Sequence, residues 1–170
     1  MKRWMGFAGL IALVGTLTIA VQNTPAQTRQ NSAADARVKA ALDKAGMKYE
    51  IDSDGDFKLV IELPSGRTQL AFVRSSTQKL NGNLEIREII SPGYKSKSAF
   101  SPEIANQLLS DSARKKLGAW QTVKSGEASI ALFCSKILAN SDADSLVASI
   151  QATVLSADEV EKQLTNKDDF

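Results

Sequence analysis

The sequence predicts an α+β domain with elements in the order α-β-β-β-β-α-β-β-α. Three observations predict it. Polar turns that contain glycine recur at short spacing through the first half, at Asp52–Asp56, Pro64–Gly66 and Asn81–Asn83, and mark a tightly spaced antiparallel meander. Ser101-Pro102-Glu103 then supplies a strong helix start: a serine cap, proline at the first position and an acid in the first turn. Finally, Val147, Ile150, Val154, Ala157, Val160 and Leu164 mark one face of a long closing helix.

The elements follow in chain order. Ala34, Val38, Ala41, Leu42 and Ala45 recur at helical spacing and predict a helix over about 33–45, capped by Ser32 and ended by Gly46. Met47–Ile51 and Phe57–Leu63 are strands joined by the Asp52–Asp56 turn, where aspartates bond their own backbone. Arg67–Arg74 alternates, with Leu70 and Phe72 on one face and Ala71 and Val73 on the other. Leu84–Ile90 is the fourth strand, and Ser91–Phe100 reads as a loop containing Pro92 and Gly93. The helix begun at Ser101 buries Ile104, Ala105, Leu108 and Leu109. Trp120–Val123 and Ala128–Leu138 form a second hairpin about Ser125-Gly126. Ser141–Asp144 resembles a capping box, and the last helix runs over about 142–164.

The front of the chain is not part of this domain. Met1-Lys2-Arg3 is basic, Trp4–Val21 is apolar and uncharged, and small residues follow through Thr24-Pro25-Ala26. That is the layout of a secretory signal peptide, residues 1–26, with cleavage after Ala26 or after Ala20. A retained membrane anchor is the competing reading, since the apolar run is about as long as the shortest spans, roughly 17–18 residues. The organisation is then a signal peptide (1–26), a flexible lead-in (27–34), one domain (35–165) and a disordered polar tail (166–170). The expected location is periplasmic or secreted, with no stable membrane insertion once the leader is cleaved.

Composition excludes several function classes. Lys2 and Arg3 are two of the 21 basic residues, so without them nineteen basic residues balance nineteen acidic ones. A neutral domain carries no electrostatic signature for nucleic acid. Histidine is absent and Cys134 is the single cysteine. This excludes Ser-His-Asp and Cys-His catalysis, thiolate zinc sites and an internal disulfide. Cys134 lies in the apolar run Ile130–Cys134 and reads as a small buried hydrophobe. The two tryptophans, two tyrosines and six phenylalanines include Trp4 and Phe7 of the leader, too few for a broad aromatic platform. No phosphate loop or dinucleotide fingerprint occurs. No cofactor and no metal site is expected.

Two constellations remain. Asp52, Asp54 and Asp56 alternate as in a calcium loop, but the glycine and the closing glutamate of an EF-hand are missing, because Phe57 and Leu63 stand there. A hairpin turn is the preferred reading. Arg114, Lys115 and Lys116 beside Trp120 form a candidate basic–aromatic binding patch, weighed against a solvated run at a helix C-terminus.

Segments distributed along the domain resemble one known family. Leu42–Tyr49 is similar to the opening helix and glycine exit of the YbjN-type domains, Asp52–Phe57 to their acid–glycine turn, and Leu108–Trp120 to their middle helix with its basic stretch and aromatic strand start. Val123–Cys134 and Ala143–Leu164 resemble their second hairpin and closing helix. The resemblance implies a twisted antiparallel sheet with helices packed on it, related in fold to type III secretion chaperones, here in an exported variant. It also implies no catalytic set and a chaperone-like role with a protein or peptide partner, including a possible homodimer. The alternative function is a carboxylate-based enzyme or small-ligand-binding protein built on Asp52, Asp54, Glu62, Glu85 and Glu88.

Overall fold

The computed structural model of the protein describes residues 33–170. The expected leader and Ser32 lie outside the described residues. Three helices and seven strands follow one another: α1 (Ala36–Lys44), β1 (Glu50–Ile51), β2 (Phe57–Glu62), β3 (Thr68–Val73), β4 (Gln78–Lys79), β5 (Glu85–Ser96), α2 (Pro102–Ser112), β6 (Ala119–Ser125), β7 (Ala128–Leu138) and α3 (Ala143–Thr165). The strands form one open antiparallel sheet in the order β1-β2-β3-β5-β7-β6, with β4 pairing β5 off that path. This is the α+β arrangement read from the sequence, with β4 as an added two-residue strand.

Register divides the sheet into two faces. Phe57 and Leu59 of β2 pair with Val73 and Ala71 of β3, and Val73 pairs with Ile89 of β5. These side chains are buried with Val38 and Leu42 of α1 and with Leu146, Ile150 and Val154 of α3. A second cluster joins Leu108 of α2, Ala131 of β7 and Val160 of α3, flanked by Tyr94, Phe100 and Trp120. All three helices therefore lie on one side of the sheet.

Four local expectations differ from the structure. The stretch expected as a loop at Ser91–Phe100 is strand as far as Ser96, because β7 is long enough to pair with it. A bulge between Pro92 and Tyr94 absorbs the proline, which has no N–H to give a ladder. Leu109 is 66% exposed instead of joining the stripe of α2. The caps shift too: α1 is capped by Asp35, whose carboxylate accepts the Arg37 N–H, and α3 by Asp142, which accepts the Ser145 N–H. The polar tail is held, with the Asp169 N–H donated to Glu161 at 2.6 Å and the Thr68 N–H donated to Asp168. Asn166 in the left-handed conformation ends α3 and turns the chain back to make those bonds.

Candidate functional site

The predicted patch is built around a buried carboxylate. Asp111, at the end of α2, is 2% exposed. It accepts the Trp120 indole N–H at 2.7 Å and lies 3.2 Å from Arg114 and 3.3 Å from Lys115. Lys115 also reaches Glu159 of α3 at 2.6 Å. Ser112 Oγ accepts the backbone N–H of Trp120 at 2.9 Å, and the indole packs edge-on against Phe133. The structure thus brings Arg114, Lys115 and Trp120 together and leaves Lys116 exposed. The indole is engaged from its N–H to its ring, and two of the three cations face acids. This arrangement ties α2 to β6 and α3.

The Asp52–Asp56 segment is likewise occupied with itself. Asp52 Oδ1 accepts the N–H groups of Asp54 and Asp56 at 2.9 and 3.0 Å. Asp56 is buried, bonded to Arg74 and to the Ser75 N–H. Among the described residues no group of three or more acidic or thiol side chains is placed to hold a metal ion. The other candidate carboxylates do not converge. Glu85 meets Arg37, Glu88 meets Lys136, and Glu62 lies at the far end of β2 beside Thr68. A crevice lined by Arg37, Val38, Arg87 and Leu146 has a volume of about 10 Å³, the size of a single water site.

No family model, no curated protein and no solved structure matches this chain.

Two features that the search for chemical motifs missed are surfaces. The first is the edge of the sheet. β6 pairs only with β7, over all seven of its residues. The Trp120 N–H points away from β7 to Ser112, so by antiparallel alternation the main-chain groups of Thr122 and Lys124 also point outward. Gly126 (φ 63) opens the tight turn that keeps this register, with Ser125 opposite Ala128. Residues Thr122–Ser125 are exposed. The second is the face of the sheet opposite the helices. Val60 is 59% exposed there. Leu70 and Phe72 beside it are half-buried, Ile90 pairs with Phe72, and Leu132 and Cys134 continue the surface on β7. Among the described residues no helix packs on this face. The Leu70/Phe72 alternation was the sequence signal for it; what hid it was that a long strand lay behind Pro92. The Cys134 thiol sits on this side, pushed up to about 11 by burial and then by the nearby Glu88 carboxylate, so it is a poor nucleophile.

Among the described residues no helix is long and apolar enough to cross a membrane.

Proposed function

We propose that this protein is an exported, non-enzymatic module that binds a polypeptide, in the manner of a chaperone, by strand addition at β6. The observation that carries the reading is the free edge of that strand: Thr122 and Lys124 present unspent main-chain donors and acceptors beside exposed side chains. An extended segment added to such an edge gains a ladder of main-chain hydrogen bonds, while alternate side chains set specificity. The leader pattern supports export, and the dispersed, individually bonded carboxylates favour binding over catalysis. Lys124 contacts Ser129 Oγ at 2.9 Å, so its charge is drawn back over the sheet instead of guarding the edge.

The test uses short synthetic peptides with alternating apolar and polar residues, presented to the secreted protein and to Thr122→Pro. Proline removes an outward N–H without touching the core. The reading expects wild type to bind a subset of the peptides, with the Thr122 and Lys124 amides becoming protected from exchange. Binding unchanged in Thr122→Pro, or no binding by wild type, would sink it.

A further inference from the structure

We infer that the helix-free face of the sheet is the interface with a second copy of this chain, packed face to face about one particular twofold axis. Two apolar rows cross this face. One holds Phe72, Ile90 and Cys134, in register on β3, β5 and β7, with Lys58 of β2 opposite Phe72; Ile90 and Cys134 are already only 5% and 6% exposed within one copy. The next holds Val60 and Leu70, paired across β2 and β3, and Leu132, paired with Pro92. Above the rows, Arg74, Glu88 and Lys136 alternate in sign: the Arg74 N–H is donated to the Glu88 carbonyl and Lys136 lies 3.4 Å from the Glu88 carboxylate. Below them, past the bulge, stands Lys95 of β5, opposite Ile130.

Closed dimers are isologous, so the same patch must fit itself. Two twofold axes are compatible with aligned sheets, and the charges separate them. An axis running along β5 would set Glu88 on Glu88 and Arg74 on Lys136, like on like, each time. An axis crossing the strands between the two apolar rows sets Phe72 of one copy on Leu70 of the other, Cys134 on Leu132, and Glu88 on Lys95, each contact made twice. That axis also lays Lys58 over Val60 and Lys136 over Ile130, cations whose long stems pack on apolar surface while their heads reach solvent, so charge favours this orientation over the other.

Balanced charge argues for this occupant over an anionic surface, which would select a basic face. Area sets the strength. Five strands about 4.8 Å apart and some five residues of roughly 3.3 Å each enclose on the order of 400 Å² per copy, or about 800 Å² in all, below the roughly 1,000 Å² of a stable specific interface and in the range of a weak one. The dimer is accordingly expected to be reversible, with dissociation in the micromolar range or above. Its surface is separate from the β6 edge, so either reading can fail without the other.

The experiment is sedimentation equilibrium of the secreted protein across a wide concentration range, with circular dichroism to verify folding. Wild type is expected to pass from monomer to dimer. Leu70→Lys/Leu132→Lys should stay folded and monomeric, weakening association by more than about tenfold through lost apolar burial. Lys95→Glu should weaken it at low salt and recover in part at high salt, since screening relieves the new like-charge pairs. Leu155→Lys, on an exposed site of α3, should dimerise like wild type, and so should Thr122→Pro. A wild type that stays monomeric at the highest concentration overturns the inference, whatever other partner it binds. A Leu70→Lys/Leu132→Lys variant that still dimerises overturns it as well.

Discussion

Gly93 is the position at which one added methyl group should do the most damage. It sits in the bulge of β5, beneath both α3 and the Trp120 ring. A Cβ there would stand 2.5 Å from Trp120 Cη2 and 3.0 Å from the Ala157 carbonyl oxygen. Carbon atoms settle near 3.5–4.0 Å, so the indole would have to retreat by about 1 Å. The ring cannot slide freely, because its N–H is bonded to Asp111 and it meets Phe133 edge-on. Overpacking of this kind costs typically 1–3 kcal/mol, and straining a hydrogen bond to a charged acceptor adds to it. We expect Gly93→Ala to lose about 3 kcal/mol, or roughly 10 °C in Tm. Urea unfolding followed by tryptophan fluorescence measures it directly, since Trp120 is the only tryptophan among the described residues. The reasoning also requires coupling: in a Trp120→Phe background, where the smaller ring leaves room, Gly93→Ala should cost clearly less. A loss below about 0.5 kcal/mol in wild type, in the range of an inert surface change, would refute the argument, as would strict additivity of the two substitutions.

Other outcomes follow from single residues. Asp111→Ala should destabilise by about 1–3 kcal/mol, because it strands the Trp120 N–H, while Lys115 keeps Glu159 and Arg114 is solvated; Asp111→Asn should cost less and Lys116→Ala nothing measurable, by urea unfolding. The Glu161 carboxyl is fully buried, and burial raises it above the ordinary carboxylate value despite the Asp169 N–H and Arg67. A raised acid holds its proton more tightly in the folded state, so its contribution is present below pH about 4.5 and is lost as pH rises through its folded value. Glu161→Gln should therefore gain stability relative to wild type between pH 4.5 and neutrality, and a constant difference across that window would contradict the assignment. Asp35 acts in the opposite sense. Burial pushes it up, but the hydrogen bonds from Arg37 and Arg87 outweigh this and hold it well below the ordinary range. Asp35→Asn should lose stability at neutral pH and converge on wild type in acid, as unfolding curves against pH will show. Finally, Cys134, 6% exposed, should react with a maleimide at neutral pH only after unfolding; rapid labelling of the native protein would mean that the thiol is less buried by its neighbours in the sheet than described.

Much of the fold was legible because its punctuation is local. The Pro64–Gly66, Asn81–Asn83 and Ser125-Gly126 turns and the Ser101 cap act through their own backbone, so they can be read one segment at a time. What stayed hidden depends on partners distant in sequence. Pro92-Gly93 reads as a loop until β7 is seen running alongside it. Leu109 reads as core until α2 is seen to meet the core through Leu108 and Ile104. The tail reads as frayed until the buried Glu161 is found accepting the Asp169 N–H. The candidate patch shows the same limit: Arg114, Lys115 and Trp120 do gather, but around Asp111, a residue that no spacing rule picks out. The free edge and the uncovered face were the hardest to see, since both are properties of strand order.

The position of α3 also bears on the order in which the chain can fold. This last helix supplies Leu146, Ile150 and Val154 to one core cluster and Val160 to the other, and its final turn anchors the tail. β7, which completes the centre of the sheet, is made only just before it. Until the C-terminal stretch is synthesised, neither core can close, and the emerging chain has no compact state in which to lodge. Folding of this chain is therefore postponed until its last residues arrive.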